Sequence, residues 1–267
     1  YVRVSMSKGV VIYAYNSTFD YVSAAEFAAK QVKKYLNLPV TLITDTDTGP
    51  PVFDTVINAP NYAPPAERAV ANDDKQQRQF DWRNQNRMSV YDLSPYDQTL
   101  LIDADYFMFN DSLKCLFDTD LEFSCADQIV DLTRPIDAGE YRVSSISMRM
   151  CWATVVYFTK CEFSKAVFAF MEQIRDNWQY YAMLYNFDGG LYRNDYSLSI
   201  ALHALSGFNN QTYTRLPIKV QTLFPVSDIL EVRDDEVVIA AQESGITKVK
   251  ATNIHVMNKL SWEKFYG

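Results

Sequence analysis

The stretch TLLIDADYFMFND, residues 99–111, places two aspartates one residue apart at the end of an aliphatic run. A buried strand has no use for carboxylates, because burying an unpaired charge costs several kcal/mol or forces the group to become neutral. In extended backbone, residues i and i+2 point to the same side, so Asp103 and Asp105 address one point in space. A shared cation best explains two neighbouring anions, and oxygen ligands suit Mg²⁺ or Mn²⁺. A solvated turn after the strand is the alternative.

The elements that must position these carboxylates alternate between strands and helices. Short apolar runs rich in β-branched and aromatic residues predict strands, and apolar residues at helical spacing predict helices. Strands are expected at 9–16, 39–45, 51–58, 99–109, 122–130 and 152–160, and helices at 20–36, 164–185 and 195–205. Residues 62–94 are expected to open with a proline loop and then turn helical. Strands that are apolar throughout indicate a parallel sheet covered on both faces, hence an α/β fold.

Bulk composition narrows the class of protein. The chain has 267 residues, 48% of them hydrophobic, which is too apolar for a disordered protein. A formal net charge of −8 argues mildly against general affinity for nucleic acid or an anionic membrane. No apolar run approaches the roughly 18–20 residues of a transmembrane helix, and no leader resembles a signal peptide. The cysteines form no CxxC pair and are expected to be reduced thiols, so we expect a cytoplasmic protein (host cytoplasm for a viral source).

Domain organisation is expected to be simple, because no internal repeat or long linker divides the chain. Met6 has the character of a natural start, so residues 1–5 are read either as a vector-derived remnant or as a native extended N-terminus. Residues 6–267 are expected to form a single domain.

Three motifs together resemble one enzyme family. They are VVIYAYN at 10–16, SPYDQTLLIDADYFMF at 94–109 and HVMNKLSW at 255–262. The set resembles the GT-A-fold glycosyltransferases with a DxD motif, most closely the glycogenin-like and bacterial galactosyltransferase-like group (family 8). The resemblance implies a mixed, mostly parallel Rossmann-like sheet flanked by helices, within a single catalytic domain over 6–267. By the same resemblance, the first half, 6–110, would bind a nucleotide, and the second half, 111–267, would bind an acceptor and end in a metal and phosphate element. It departs from the family at the C-terminal motif, where the family's intervening glycine is absent and Lys259 follows His255 more closely.

The resemblance implies roles for particular residues. Asp103, Asp105 and His255 would bind Mn²⁺ or Mg²⁺, since a lone histidine followed by Lys259 and Trp262 favours a ligand over a structural role. His203 is expected to be a core or helix-face residue. The diphosphate and nucleotide of the donor would contact a further set: Ala14, Tyr15, Asn16, Asp45, Arg83, Arg87, Ala104 and Lys259. For Tyr15 the alternative is ordinary packing. Arg83 and Arg87, four residues apart, are expected to share one helix face, and the alternative to a nucleotide-binding role is that this face is solvated.

The catalytic carboxylate is expected in NFDGGLYRNDYSLSIAL, residues 186–202. The family's position for an acid/base or sugar-orienting group favours Asp195, with Asp188 second. Helix capping is the ordinary use of an aspartate at the start of a helix such as the one after Asp195. The polar stretch 128–150 falls where an acceptor-binding or lid loop would lie, and Trp152 would either line the sugar pocket or pack.

The implied activity is metal-dependent transfer of a hexose from a nucleotide-sugar, most naturally a UDP-sugar, to an acceptor hydroxyl. The acceptor is left open between a glycan, a protein, a lipid carrier and a hydroxymethylated nucleic-acid base, and the family leans toward retention of configuration. A sugar nucleotidyltransferase is the first alternative, but its glycine-rich basic loop after the first strand is missing from YNSTFDYVSAAEF. A non-catalytic nucleotide-sugar-binding protein is the second. A DxD phosphatase would carry its doublet after the first strand.

Overall fold

The computed structural model describes residues 6–60, 66–71, 77–132, 142, 148–187, 191–208, 213–224, 227–241 and 245–265, with backbone alone for 66–71 and 77–82. Residues 1–5 and Asp188 lie outside the described residues, as does much of the expected acceptor or lid loop at 128–150.

The described chain alternates strands and helices through most of its length. The strands are β1 Lys8–Tyr13, β2 Val40–Thr44, β3 Thr55–Asn58, β4 Ala66–Ala71, β5 Gln77–Trp82, β6 Gln98–Asp103, β7 Tyr106–Phe107, β8 Phe123–Ala126, β9 Ile129–Asp131, β10 Trp152–Thr159, β11 Thr214–Arg215, β12 Val220–Leu223, β13 Asp228–Val232, β14 Glu236–Ala241, β15 Gly245–Lys250 and β16 Ile254–Val256. The α-helices are α1 Tyr21–Leu36, α2 Val90–Leu93, α3 Glu162–Asp176, α4 Trp178–Leu184, α5 Asn194–Leu205 and α6 Lys259–Glu263, and 3-10 helices lie at Arg87–Ser89 and Lys114–Asp118.

The central sheet has the mixed, mostly parallel order expected for the fold class. Among the described residues its strands run β11-β8-β10-β6-β1-β2-β3. β1 pairs in parallel with both β6 and β2, β3 continues the parallel set, and β10 is antiparallel to its neighbours β6 and β8. Helix α1 packs against β1 and β2, and α5 packs against β10 and α3. The mixed α/β fold with helices flanking the sheet is therefore confirmed.

Helix α1 shows how sequence pattern sets this architecture. The Asp20 carboxylate accepts a hydrogen bond from the backbone N–H of Ser23 at 3.0 Å and so caps the first turn. Asn37 ends the helix in the left-handed conformation, with φ of 54°. The buried residues recur at three- and four-residue spacing along one face: Ala24, Ala25, Ala28, Ala29, Val32 and Leu36. The helix expected at 20–36 is thus present.

A second, smaller sheet joins the C-terminal segment to the end of β6. Its order is β7-β16-β12-β9, and within it β16 is antiparallel to β7, with His255 opposite Tyr106. The ring of Trp262 in α6 stacks on Phe107 of β7 at a centroid distance of 4.0 Å. The backbone N–H of Val256 donates to the carbonyl of Asp105 at 2.9 Å. These apolar and backbone contacts fix the last strand beside the aspartate doublet.

Three predicted segments fold differently from expectation. The helical reading of 62–94 is wrong over its centre, where β4 and β5 form an antiparallel hairpin. The alternation of Phe80 and Trp82 with polar residues is a two-residue period, which outweighs the polar composition that suggested a helix. The strand expected at 122–130 divides at Asp127, so that β8 joins the central sheet and β9 the smaller one. The helix at 164–185 breaks at Asn177 into α3 and α4.

The remaining strands form an antiparallel meander, β13-β14-β15, on which α6 packs.

Within the described parts of the chain, no helix combines the length and the apolar character that crossing a membrane requires.

Candidate functional site

The two aspartates of the DxD motif lie at the carboxyl end of a central strand. Asp103 is the last residue of β6, and Asp105 lies in the tight turn that separates β6 from β7. The side chain of Asp105 is 10% exposed and that of Asp103 is 25% exposed. In a sheet with parallel strands this edge is where ligands bind, so both carboxylates occupy the expected place.

His255 completes a three-residue cluster with the two aspartates. Its Nε2 lies 3.6 Å from Oδ1 of Asp105 and 4.0 Å from Oδ2 of Asp103. One ligand atom from each residue can be chosen so that all three lie within 4.8 Å of one another. The structure therefore brings together the three residues that the sequence nominated as metal ligands.

The geometry and charge of this cluster fit a divalent cation. Oxygen and nitrogen ligands about 2.1 Å from an ion lie about 3.0 Å apart when they subtend a right angle and about 4.2 Å apart when they are opposite. The distances from Nε2 of His255 to Asp105 and Asp103, 3.6 Å and 4.0 Å, lie between these two values. Burial lowers the pKa of His255, which leaves the imidazole neutral with a lone pair available. Burial alone would raise the pKa of Asp105, but Lys259 and His255 hold it below its ordinary value.

Two cationic side chains form ion pairs with the carboxylates of the cluster. The Arg87 guanidinium forms an ion pair with Asp103, and Nζ of Lys259 lies 2.8 Å from Oδ2 of Asp105. Arg87 is buried, which lowers its pKa to about 10, so it remains charged at neutral pH. Arg87 is thus a partner of Asp103, whereas the sequence placed it facing the nucleotide.

Arg83 and Arg87 do not share a helix face, so that expectation is wrong. Arg83 directly follows β5, while Arg87 opens a 3-10 helix. The Arg83 guanidinium lines the pocket beside the doublet and lies 3.8 Å from the Asp45 carboxylate, so Asp45 and Arg83 meet near the ends of β2 and β5. The reason is that no helix joins them: β5 ends at Trp82 and the 3-10 helix begins only at Arg87, so the four-residue neighbourhood of an α-helix does not exist there.

An open pocket lies next to the cluster and is lined by aromatic and charged side chains. Tyr13, Tyr15, Tyr21 and Trp152 supply rings, and Asp103, Ala104, Asp105, His255 and Lys259 supply the side nearest the cluster. Tyr15 lines the pocket, and its hydroxyl donates to the carbonyl of Ala59 at 2.8 Å. Trp152 likewise lines the pocket.

The other two residues predicted at the first strand's end are placed elsewhere. Ala14 is buried, and its backbone N–H donates to the carbonyl of Ile43 between β1 and β2. Asn16 is exposed, and its side-chain oxygen accepts from the backbone N–H of Val22 at 2.9 Å, which helps to cap α1. Neither is among the described residues that line the pocket. The first backbone N–H groups of a helix have no acceptor within the helix, which explains why the Asn16 side chain accepts from Val22.

Asp195 lies in the first turn of α5 and faces the same pocket. It is not the N-cap, since Arg193 occupies that position. One carboxylate oxygen accepts from the backbone N–H of Ala153 at 2.9 Å, and the other accepts from Arg193 at 2.8 Å. Its side chain is 14% exposed. These contacts hold Asp195 in one orientation beside the start of β10.

Sequence reasoning missed Arg193, which lines the pocket beside Asp195. Its guanidinium also lies over the ring of Tyr196, at 5.2 Å from the centroid. The sequence did contain a signal, because Arg193 lies two residues before Asp195. At the start of a helix this spacing can bring both side chains to the same side. His203, by contrast, contacts Tyr185 through Nδ1 at 3.3 Å and takes no part in the pocket lining, as expected.

Comparison with known proteins gives matches among solved structures only. No protein-family model and no curated protein matches the sequence. Among solved structures, the glycosyltransferase GlyE of Streptococcus pneumoniae TIGR4 aligns over 80% of this chain and 46% of its own, at 16% identity and TM-score 0.43. The galactosyltransferase LgtC, in complex with donor and acceptor sugar analogs, aligns over 73% of this chain and 70% of its own, at 15% identity and TM-score 0.43.

An active-site mutant of LgtC aligns over 78% of this chain and 72% of its own, at 14% identity and TM-score 0.47. The chain therefore spans about half the length of the GlyE structure and roughly seven-tenths of LgtC.

Proposed function

We propose that the protein is a metal-dependent glycosyltransferase that moves a sugar from a nucleotide-sugar, preferably a UDP-sugar, to an acceptor hydroxyl. The observation that carries the proposal is the convergence of Asp103 and Asp105 with His255, from a distant strand, at the edge of a pocket. Two carboxylates and a neutral imidazole form a donor set that suits Mn²⁺ and accommodates Mg²⁺.

The charges of the pocket favour an anionic donor once a metal is bound. Among the described lining side chains, the cations Arg83, Arg193 and Lys259 offset the anions Asp103, Asp105 and Asp195. A divalent cation held by the doublet and His255 would supply Lewis-acid charge to a diphosphate leaving group. Lys259, already 2.8 Å from Asp105, would add a second positive charge there.

The aromatic side chains provide surfaces for the uncharged parts of the donor. In the proposed assignment the ring of Tyr15 contacts the base, and Asp45, Arg83 and Ala104 lie around the nucleotide. Tyr15 is held rigidly by its bond to Ala59, so little side-chain entropy would be lost on stacking. Trp152, across the pocket, would contact the transferred sugar.

Asp195 is the proposed catalytic or sugar-orienting carboxylate. In the reaction, the acceptor hydroxyl oxygen bonds to the anomeric carbon, the bond from that carbon to the diphosphate oxygen breaks, and the hydroxyl proton passes to the departing diphosphate. Because both oxygens of Asp195 already accept hydrogen bonds, the group is suited to orienting a sugar hydroxyl through its remaining lone pairs. The resemblance to the family-8 group favours retention of configuration.

The two halves of the chain contribute different parts of this site. Residues 6–110 supply β1, β2 and the aspartate doublet, and residues 111–267 supply Trp152, Asp195, His255 and Lys259. We propose that residues 6–267 act as one catalytic domain, because the metal cluster is complete only when β16 lies beside β7.

The decisive experiment measures Mn²⁺-dependent hydrolysis of UDP-, GDP- and ADP-sugars without acceptor. We expect one donor class to be hydrolysed by the wild type and not by Asp105→Asn or His255→Ala, although both variants remain folded at the assay temperature. Asp235→Asn, an exposed aspartate paired with Lys250 far from the pocket, serves as the matched control. Wild-type protein that hydrolyses no nucleotide-sugar, or variants that hydrolyse it normally, would contradict the proposal.

A further inference from the structure

A second charged cluster lies outside the metal cluster and centres on Asp127. This residue follows β8, and its side chain is only 3% exposed. One of its carboxylate oxygens lies 2.7 Å from Nε of Arg215 and 3.7 Å from a terminal nitrogen of Arg149. Two guanidinium groups thus lie within 3.7 Å of one buried carboxylate oxygen. We call Asp127, Arg149 and Arg215 the arginine clasp.

The arginine clasp lies on the same edge of the central sheet as the DxD motif. β8 and β6 are both antiparallel to β10, and β11 is parallel to β8, so the carboxyl ends of β6, β8 and β11 share one edge. At that edge Trp152, the first residue of β10, pairs with Ala126. Trp152 lines the pocket, so the clasp adjoins the pocket on the side away from the nucleotide.

The spacing of the clasp from the metal cluster follows from the strand order. β6 and β11 are separated by β10 and β8, which makes three strand spacings. At about 4.8 Å a spacing, the end of β11, where Arg215 lies, is about 14 Å along the edge from Asp103, and the end of β8, which Asp127 follows, is about 10 Å away. A group that bound there would be too far away to belong to the transferred sugar, yet it would be within reach of an extended acceptor.

The clasp has the chemistry of an oxyanion site. Among the described side chains that meet there, one carboxylate faces two guanidinium groups. Nε of Arg215 lies 2.7 Å from the Asp127 carboxylate, and 48% of the Arg215 side chain is exposed, so a ligand in solvent can reach this arginine. Planar guanidinium groups bind carboxylate and phosphate through paired, charge-assisted hydrogen bonds. A buried acid that fixes the arginines would lower the entropy cost of that binding.

We propose that the arginine clasp binds an anionic group of the acceptor, a carboxylate or a phosphate, remote from the hydroxyl that is glycosylated. This inference rests on the proposed glycosyl transfer and adds the class of acceptor to it. A neutral glycan could occupy the pocket beside Trp152, but only an acidic or phosphorylated one would use the arginines as well.

The test compares paired acceptors that differ only in charge. Disaccharides with glucuronate or a phosphate at the end away from the reacting sugar are measured against their neutral parents, as kcat/KM with the donor found by hydrolysis. We expect the wild type to prefer an anionic acceptor at least tenfold, with a preference that falls as ionic strength rises. The two anionic forms distinguish a carboxylate from a phosphate partner.

Variants show whether the clasp causes this preference. Arg215→Gln should bring the ratio of kcat/KM for anionic and neutral acceptors close to one. Arg233 is similarly exposed and pairs with Glu231, so Arg233→Gln should leave that ratio unchanged. If Arg215→Gln unfolds, the double variant Asp127→Asn/Arg215→Gln removes the buried charge together with its partner. Equal use of both acceptors by the wild type, or a preference that survives in either variant, overturns the proposal.

A binding measurement covers the case in which no disaccharide is glycosylated. Saturation-transfer NMR with the same pairs should show contact for the anionic member in the wild type and a weaker signal in Arg215→Gln. Absence of any selective contact overturns the clasp. If the wild type shows no selective contact but still hydrolyses the donor, only the clasp proposal is overturned and the proposed transferase function is unaffected. If the wild type hydrolyses no donor, both proposals are overturned.

Discussion

Nε2 of His255 lies 3.6 Å from the carboxylate of Asp105 because the strands that carry or follow these residues pair with each other. His255 is opposite Tyr106 in the β16–β7 ladder, and Val256 donates its backbone N–H to the carbonyl of Asp105. A register shift of one residue would turn the imidazole to the other face of the strand. The distance is therefore a property of the sheet and does not depend on a flexible side chain alone.

Replacement of His255 should weaken metal binding without unfolding the protein. His255→Ala removes the nitrogen ligand and leaves two carboxylates that Arg87 and Lys259 already neutralise in part, so we expect Mn²⁺ affinity to fall at least tenfold. Titration calorimetry or the Mn²⁺ electron paramagnetic resonance signal measures the affinity. His203→Ala is the matched control, and equal Mn²⁺ affinity in His255→Ala and the wild type would refute the assignment.

Replacement of Lys259 should weaken binding of a nucleoside diphosphate more than binding of the metal. A hydrogen bond to a charged group contributes about 1.5–3 kcal/mol, so Lys259→Ala should raise the Kd for UDP with Mn²⁺ by about ten- to a hundredfold. Lys264→Ala, in which the lysine replaced lies over the ring of Phe265, is the control. The phosphate role of Lys259 would be lost if both variants bound UDP as tightly as the wild type.

Asp195→Asn should lower kcat far more than it changes donor binding. The amide keeps an oxygen for the Ala153 N–H but loses the negative charge that pairs with Arg193. We expect hydrolysis to slow by about 10²-fold, in line with the loss of one fixed polar group at a reacting centre. Steady-state kinetics separate kcat from KM. A variant altered only in thermal stability would show that Asp195 does no more than anchor α5.

Asp20 should stabilise the protein in a pH-dependent way. Partial burial raises the pKa of its carboxyl, but hydrogen bonds from Ser23, Asn16 and Val22 outweigh this and leave the pKa below its ordinary value. A lowered pKa in the folded state means that the stabilisation is present above the unfolded pKa, about 3.9, and is lost as pH falls through the folded value. Asp20→Ala should therefore cost about 1 kcal/mol at pH 7.

Urea denaturation of wild type and Asp20→Ala at pH 7 and at progressively lower pH tests this expectation. The difference in free energy of unfolding should shrink below about pH 4. A difference that stayed constant across that range would show that the side chain acts through packing.

Gly9 should be intolerant of any side chain, because a Cβ there would overlap the ring of Tyr96. That ring cannot easily move, since its hydroxyl shares a buried hydrogen bond of 2.9 Å with Thr41. Gly9→Ala should cost about 1–3 kcal/mol of unfolding free energy. The same change made in a Tyr96→Ala background should cost less, and equal costs in a double-mutant cycle would exclude the clash as the cause.

The sequence by itself determined the parts of this protein that depend on neighbours along the chain. Apolar runs predicted β1, β2, β6 and β10, and three- and four-residue spacing predicted α1, because these periods are set by local backbone geometry. The position of Asp103 and Asp105 at a strand end was readable for the same reason. The hairpin at 66–82 was misread, because its polar composition concealed a two-residue period.

Only the tertiary structure decided which distant residues meet. The pairing of β16 with β7 brings His255 and Lys259 to the doublet, and the order of β6, β10, β8 and β11 places the arginine clasp beside Trp152. The tertiary structure also pairs Arg87 with Asp103 and uses Asn16 to cap the start of α1, and the sequence predicted neither contact. These contacts depend on non-local strand pairing and on competition among buried charges for partners, which a single sequence does not encode in its local pattern.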